Sequence, residues 1–225
     1  MRYTLHQVAK TIDHSLLKPE MTRAEVQAGC EIAKKYDVAS VCCKPADVPF
    51  CVELLNGTDV EVGTVVGFPH GSSATETKVF ETKLAVSQGA TEIDMVINIG
   101  WMKSGMYPEV QADIEAVVAA AAGKCVKVIL ENAYLTKEEI AKGSQLVEAA
   151  GADYVKTSTG YAPTGASLED IKIMKENVSP KIKVKSAGGV RTLDVLLEYL
   201  DAGISRTGAT TTATMLDEFA ERFGK

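Results

Sequence analysis

The stretch Tyr154-Val155-Lys156-Thr157-Ser158-Thr159-Gly160 sets the pattern on which this chain is built. A short β-type run brings Lys156 to its C-terminal end and then breaks into small residues and glycine, as a strand does when it enters a loop. The stretch Ile182-Lys183-Val184-Lys185-Ser186-Ala187-Gly188-Gly189-Val190-Arg191 repeats the pattern with Lys185. The sequence therefore predicts two strands that aim two lysines at one place.

Three junctions along the chain share a second pattern, in which glycine ends a helix and an apolar strand begins at once. They are Gln88-Gly89-Ala90, Ala150-Gly151-Ala152 and Ala202-Gly203-Ile204. Eight predicted strands alternate with helices, and no linker or shift in composition divides them. This alternation predicts a (β/α)8 TIM barrel, a single α/β domain over residues 1–225, with an open doubly wound sheet as the alternative. The first strand lacks a following G-x-G-x-x-G, which disfavours that alternative.

Bulk composition narrows the classes of partner. With 225 residues, 46% of them hydrophobic, and a net charge of −6, the chain is typical of a soluble protein. The acidic balance and the lack of basic runs argue against nucleic acid or an anionic membrane as a partner. The N-terminus lacks an apolar signal core, so a cytoplasmic location is expected. His6, His14 and His70 have no metal-ligand spacing, and we expect neither metal nor cofactor.

A lysine that ends a buried strand is unusual, because burial of an unpaired ammonium is costly. Either lysine alone is more simply interpreted as a rim residue in a surface salt bridge. Two lysines on neighbouring strands, about 4.8 Å apart, each destabilise the charge of the other. Such a pair lowers the pKa of one amine, and a neutral amine near pH 7 is a nucleophile suited to Schiff-base chemistry.

The alternation of side chains predicts which charged groups face the barrel interior. Asp94, Lys127, Lys156 and Lys185 fall on the inward face, with Glu92 and Lys183 deeper in the barrel. So many buried ions are costly unless they are paired, which favours a functional role. Asp94 is either a counter-ion for a lysine or a proton shuttle, and one residue can do both.

Two loops are candidates for a phosphate site. In barrels, phosphate is often held by the loops after strands seven and eight together with a helix N-terminus. Here those loops carry Ser186-Ala187-Gly188-Gly189 and Gly208-Ala209-Thr210-Thr211. Glycines let backbone amides approach an anion, and the two threonines add hydroxyl donors.

At these residues the chain resembles the deoxyribose-phosphate aldolases, a family of metal-independent class I aldolases. The resemblance spans nearly the whole chain and is carried by Ile12-Asp13-His14-Ser15-Leu16-Leu17-Lys18-Pro19, Gly67-Phe68-Pro69-His70-Gly71, Glu92-Ile93-Asp94-Met95-Val96-Ile97-Asn98, Val155-Lys156-Thr157-Ser158-Thr159-Gly160 and Lys185-Ser186-Ala187-Gly188-Gly189-Val190-Arg191. The lysine motif with its Thr-Ser-Thr-Gly tail is the most specific of these pieces.

The resemblance implies reversible cleavage of 2-deoxy-D-ribose 5-phosphate to D-glyceraldehyde 3-phosphate and acetaldehyde, in deoxyribose phosphate catabolism. Lys156 is then the Schiff-base lysine, Lys185 the neighbour that perturbs it, and Asp94 the group that transfers protons through water. As expectations of our own, substrate and phosphate contacts fall at Thr159, Gly160, Gly188, Gly189, Gly208, Thr210 and Thr211, and supporting polar residues are Lys127, Asp13 and Ser15. Members of the family are commonly dimers or tetramers, so a homo-oligomer is expected.

Some positions depart from the family pattern and bear on how tightly substrate is held. Thr210-Thr211 replace a frequent serine pair, Cys43-Lys44-Pro45 differs after strand two, and Tyr161-Ala162-Pro163-Thr164-Gly165 differs after the lysine motif. Two other functions stay open: a Schiff-base or transaldolase-like aldolase with another donor, and a sugar-phosphate-binding barrel without turnover.

Overall fold

The eight strands form a closed parallel barrel in the computed structural model, which describes residues 2–224. The strands are β1 (Ile12–Leu16), β2 (Ser40–Cys43), β3 (Glu61–Val66), β4 (Glu92–Val96), β5 (Cys125–Ile129), β6 (Tyr154–Lys156), β7 (Lys183–Ala187) and β8 (Arg206–Ala209). Each strand pairs with the next one along the chain, and β8 pairs with β1. The predicted (β/α)8 barrel is confirmed, and the open sheet is excluded.

Helices follow the strands and cover the outside of the barrel. They are α1 (Leu5–Ala9), α2 (Arg23–Tyr36), α3 (Val48–Leu55), α4 (Thr75–Ser87), α5 (Ile99–Lys103), α6 (Tyr107–Ala120), α7 (Lys137–Ala149), α8 (Leu168–Glu176), α9 (Leu193–Asp201) and α10 (Thr212–Phe223), with 3₁₀ turns at Pro45–Asp47 and Asn132–Tyr134. Across residues 2–224, none of these helices has the length and apolar character needed to cross a membrane.

The predicted helix–strand junctions have the backbone that they require. Gly89, Gly151 and Gly203 have φ angles of 102°, 77° and 98°, which residues with a Cβ rarely adopt. Each glycine lets the chain leave a helix and turn directly into the next strand. The junctions therefore set the short αβ connections that close the barrel.

The main hydrophobic core lies between the barrel and its helices. Ile93, Met95 and Ile97 belong to this core, whereas Asp94 faces the barrel interior and contacts side chains of β6 and β7. The predicted alternation on β4 is confirmed, because successive strand residues point to opposite faces. The alternation therefore places the Asp94 carboxylate inside the barrel while its apolar neighbours pack against the helices outside.

Several local features differ from the sequence-based expectation. Strand β4 ends at Val96 rather than Asn98, because the Asn98 side chain caps the short helix α5 and accepts from the Trp101 amide at 3.1 Å. Helix α1 was not predicted, although Thr4 and Gln7 form a capping box. The placement of Lys183 deep in the barrel is wrong: its side chain is exposed at the start of β7, where the ammonium stays in water.

Candidate active site

Seven charged side chains meet inside the barrel, and we call them the barrel ion network. Its members are Asp13 on β1, Glu92 and Asp94 on β4, Lys127 on β5, Lys156 on β6, Lys185 on β7 and Arg206 on β8. Six of them are almost fully buried, and the side chain of Arg206 is 17% exposed. The structure therefore brings the predicted residues Asp94, Lys127, Lys156, Lys185 and Asp13 into one cluster.

Asp94 lies at the centre of the network. Its Oδ2 atom accepts hydrogen bonds from the Nζ atoms of Lys156 at 2.6 Å and Lys185 at 2.7 Å, and Oδ1 accepts from Lys127 at 3.1 Å. Burial raises the pKa of Asp94, but the three lysines outweigh burial and hold the pKa well below its usual range. Asp94 is therefore an anion that links the two predicted catalytic lysines.

The other carboxylates neutralise the remaining cations. Lys127 donates to Glu92 at 2.6 Å, and Lys185 pairs with Asp13 at 2.5 Å. Arg206 pairs with both Asp13 and Glu92. Burial lowers the pKa values of Lys127 and Lys185, but their carboxylate partners outweigh it and raise both above the usual lysine range. These two lysines are held as ammonium ions.

Lys156 has the opposite electrostatic setting. Burial lowers its pKa, Asp94 opposes this effect, and Lys185 lowers the pKa further. Burial thus contributes more to the lowered pKa of Lys156 than the cationic neighbour does. Across residues 2–224, Lys156 pairs with Asp94 alone. Its amine is the group of the network that most readily loses a proton.

The charges of the network balance without Lys156. Asp13, Glu92 and Asp94 supply three negative charges, and Lys127, Lys185 and Arg206 supply three positive charges. Because unbalanced charge is costly in a barrel interior, this balance disfavours a proton on Lys156, and the nearby Glu131 carboxylate acts in the opposite direction.

A cavity of about 310 Å³ opens above the network at the C-terminal ends of the strands. It exposes Lys156 and Lys185 to incoming ligand, while Asp94 and Lys127 lie beneath its floor. Predicted residues that line the cavity are Asp13, Ser15, Lys156, Thr159, Gly160, Lys185, Gly188, Gly189, Gly208 and Thr210. Thr211 does not line it, because its hydroxyl donates to the Arg191 carbonyl at 3.1 Å.

The loops that follow β6 and β7 are in close backbone contact beside this cavity. A Cβ on Gly165 would lie 2.1 Å from the Gly188 carbonyl oxygen, and a Cβ on Gly188 would lie 2.9 Å from the Gly165 Cα. Gly188 and Gly189 also have φ angles of 77° and 83°. Glycine at both loops therefore allows a close approach that exposes backbone at the cavity wall.

Sequence reasoning missed several residues that shape the site. Lys18 and Arg191 are exposed cations on the cavity wall, and both stand within the quoted motifs. Buried Glu131 accepts from the Thr159 amide at 3.1 Å and from the Thr159 hydroxyl. Its left-handed φ of 58° was not predictable from the pattern. Arg206 could have been found from the inward alternation of β8.

The departures from the family pattern fall largely outside the cavity floor. Lys44 donates to the Met21 carbonyl at 2.9 Å and lines a separate cavity. Tyr161 stands between the two cavities, and its hydroxyl donates to the Leu17 carbonyl at 2.8 Å. Over the described part of the chain, no group of three His, Cys, Asp or Glu side chains is arranged as a metal site.

A closed parallel barrel with a buried amine of lowered pKa beside a second cation defines an enzyme site of the Schiff-base type. Residues 7–221 match the family model described as DeoC/LacD family aldolase. The chain belongs to this family of aldolases, which are lyases, and the resemblance seen in the sequence is confirmed.

Named relatives agree with the family. The chain is 54% identical over 202 residues to the deoxyribose-phosphate aldolase of Staphylococcus saprophyticus, covering 90% of this chain and 92% of the relative. It is 52% identical, with the same coverage, to that of Staphylococcus haemolyticus. Among solved structures, the aldolase QR15 matches with a TM-score of 0.91 and 35% identity, covering 96% of each chain. The tetrameric deoxyribose phosphate aldolase of Aeropyrum pernix matches with a TM-score of 0.86 and 27% identity, covering 96% of this chain and 92% of that one.

Proposed function

We propose that the protein catalyses reversible aldol cleavage of 2-deoxy-D-ribose 5-phosphate to D-glyceraldehyde 3-phosphate and acetaldehyde. This reaction serves the catabolism of deoxyribose phosphate. The observation that carries the proposal is the Lys156 amine, which faces the cavity with a lowered pKa and pairs with Asp94. The names of the relatives, deoxyribose-phosphate aldolases, support the choice of substrate.

The Lys156 nitrogen attacks the C1 aldehyde of the open-chain sugar and forms a carbinolamine. Loss of water gives an iminium ion, which draws electrons from the neighbouring bonds. The C3 hydroxyl loses its proton, the C2–C3 bond breaks, and its electron pair forms an enamine with C1 and C2. Glyceraldehyde 3-phosphate leaves with C3 as its aldehyde carbon. Protonation of C2 and hydrolysis of the iminium then release acetaldehyde and restore the amine.

Asp94 and Lys185 divide the supporting roles. Asp94, within 2.6 Å of the Lys156 nitrogen, passes protons between the lysine and the substrate through water. Lys185 keeps its charge because Asp13 and Asp94 pair with it, and this charge disfavours protonation of Lys156. Lys127 fixes the other oxygen of Asp94. The proton carrier and the nucleophile therefore share one rigid network.

The substrate phosphate binds at the glycine-rich wall of the cavity. Backbone amides near Gly188, Gly189 and Gly208 and the hydroxyl of Thr210 surround it, as is common after strands seven and eight of a barrel. Exposed Lys18 and Arg191 add positive charge at the cavity wall. Ser15, Thr159 and Gly160 line the part of the cavity that holds the sugar chain.

The test is reduction of the protein with borohydride in the presence of 2-deoxy-D-ribose 5-phosphate, followed by peptide mapping. An imine is reduced to a stable secondary amine, so we expect a mass increase at Lys156. The variant Lys156→Leu should gain no mass at this peptide, and Lys183→Leu, which removes an exposed lysine, should still be labelled. If the wild-type protein is not labelled, the proposal is refuted, and a sugar-phosphate-binding barrel without turnover remains as the function.

Donor choice separates the proposal from a related aldolase. Wild-type protein is given D-glyceraldehyde 3-phosphate with either acetaldehyde or dihydroxyacetone as the donor. We expect carbon–carbon bond formation with acetaldehyde. Product from dihydroxyacetone alone would assign the site to a transaldolase-like enzyme.

We also propose that the chain is a single domain that works in the cytoplasm as a homodimer or homotetramer. The tetrameric Aeropyrum pernix relative supports assembly. Light scattering during size-exclusion chromatography gives the mass in solution, and the mass of one chain would contradict this proposal.

A further inference from the structure

Glu92 and Arg206 belong to the barrel ion network but do not line the cavity. They are the first residues of β4 and β8, whereas the cavity lies at the C-terminal ends of the strands. Arg206 pairs with Asp13 and Glu92, and Glu92 in turn accepts from Lys127 at 2.6 Å. The side-chain contacts of the pair with the catalytic groups thus run through Asp13 and Lys127, and Arg206 is also the register partner of Lys185.

We propose that Glu92 and Arg206 are positioning residues that set the protonation state of Lys156 from the N-terminal side of the barrel ion network. The inference rests on the proposed Schiff-base function. A continuous chain of contacts carries the effect: Lys127 bonds both Glu92 and Asp94, and Asp94 bonds Lys156. Because the interior is buried, water screens these charges little.

Charge balance gives the sign of each effect. Loss of the Arg206 cation leaves the network with one excess negative charge. A proton is then taken up by the Lys156 amine rather than by a carboxylate, because amines are far more basic. Loss of the Glu92 anion leaves one excess positive charge, which disfavours protonation of Lys156. Loss of both restores the balance.

Other titratable groups packed near the network do not change this count. Burial raises the pKa of the Cys42 thiol to about 11 and that of the Cys125 thiol to about 12, so both stay uncharged at neutral pH. Tyr154 faces Arg206 and Lys127 from β6. Glu131 bonds to Thr159 and forms no ion pair with a lysine of the network, but Lys156 acts on its pKa, which burial raises. Glu131 is the same in every variant below, so it does not change the differences between them. The variants therefore change only the charge of the network.

The test compares Glu92→Gln, Arg206→Gln and the double variant with wild-type protein. The pH dependence of kcat/KM for 2-deoxy-D-ribose 5-phosphate and of borohydride trapping is measured from pH 5 to pH 9. The acid limb is the part of the pH profile where the rate falls as the pH falls. Arg206→Gln should move this limb to higher pH and lower the rate at a given pH on it by about tenfold. Glu92→Gln should move it to lower pH and raise that rate by about tenfold. The double variant should return to the wild-type limb.

Two control variants separate charge from structure. Arg206→Lys keeps the charge and should keep the wild-type limb, although it loses the planar fork of the guanidinium. Lys183→Gln removes a cation that lies two residues before Lys185, exposed and outside the network, and should leave the limb unmoved. Circular dichroism checks that each variant is folded. If Arg206→Gln does not fold, the acid limbs of Glu92→Gln and Arg206→Lys still test the inference.

Shifts of both single variants in the same direction, or limbs that stay in place, would overturn the inference. The proposed function has a separate readout, because wild-type trapping at Lys156 does not depend on the variants. If borohydride labels Lys156 in the wild-type protein but the acid limbs of the variants do not move, only the role of Glu92 and Arg206 is refuted. If borohydride does not label Lys156 in the wild-type protein, the Schiff-base function itself is refuted.

Discussion

Replacement of Lys185 by leucine tests whether its charge keeps Lys156 neutral. Lys156 and Lys185 are register partners on β6 and β7, and both donate to the same oxygen of Asp94. Leucine fills part of the space and removes the charge. The network then holds an excess of negative charge, so a proton binds Lys156 more tightly and blocks its attack on the aldehyde.

The size of the effect follows from the geometry. Neighbouring strands are about 5 Å apart. Two unit charges at that distance, in a medium with an effective dielectric constant of about 20, repel each other by about 3 kcal/mol. This energy corresponds to a change of about 100-fold in the neutral fraction of the Lys156 amine. We therefore expect kcat/KM at pH 7 to fall about 100-fold in Lys185→Leu.

The assay follows kcat/KM for 2-deoxy-D-ribose 5-phosphate between pH 5 and pH 10. The acid limb should move to higher pH, and the gap to wild-type protein should narrow as the pH rises. Lys183→Leu makes the same replacement two residues earlier on β7, at an exposed position, and is expected to retain the wild-type profile. A Lys185→Leu profile that is lowered equally at all pH values would refute the electrostatic role.

Three further predictions concern the proton carrier, the loop contact and a buried histidine. Asp94→Asn should lower kcat by about 100-fold or more, because it removes the proton carrier, while borohydride still labels the lysine. Gly165→Ala places a methyl group against the Gly188 carbonyl, so KM for the phosphorylated sugar should rise about tenfold while that for unphosphorylated 2-deoxyribose stays unchanged. Burial lowers the pKa of His14 to about 4, and its Nδ1 atom lies 2.8 Å from the Thr212 hydroxyl. The unfolded chain binds the His14 proton first, so stability should fall by about 3 kcal/mol between pH 7 and pH 4, and His14→Asn should flatten this slope in denaturant titrations.

The meeting of the two proposed catalytic lysines was predictable in part, because strand geometry leaves few choices. Once Tyr154–Lys156 is a strand that ends in a loop, Lys156 stands at the carboxyl edge of the barrel. The same argument places Lys185 on the next strand, in register with Lys156. Lys185 lies in the middle of β7 rather than at its C-terminal end, because that strand continues to Ala187. The parallel register of β6 and β7 nevertheless brings the two lysines together.

Other features of the site depend on contacts between residues far apart in the chain. Lys183 has the same inward phase as Lys185, yet it lies at the exposed start of β7, where hydration of the ammonium costs less than burial. The Thr211 hydroxyl turns to the Arg191 carbonyl instead of the cavity. The contact between Gly165 and Gly188 joins two loops whose separation no local pattern encodes.

The sequence by itself determined the alternation of strands and helices, the glycine junctions and the inward phase of the charged residues. These features follow from periodicity and backbone preference, which are local properties of the chain. The tertiary structure decided which of the buried charges are paired, and thus that Lys156 shares a single carboxylate while Lys127 and Lys185 have several. A pKa depends on distance, burial and every neighbouring charge at once, so it is fixed only when the barrel closes.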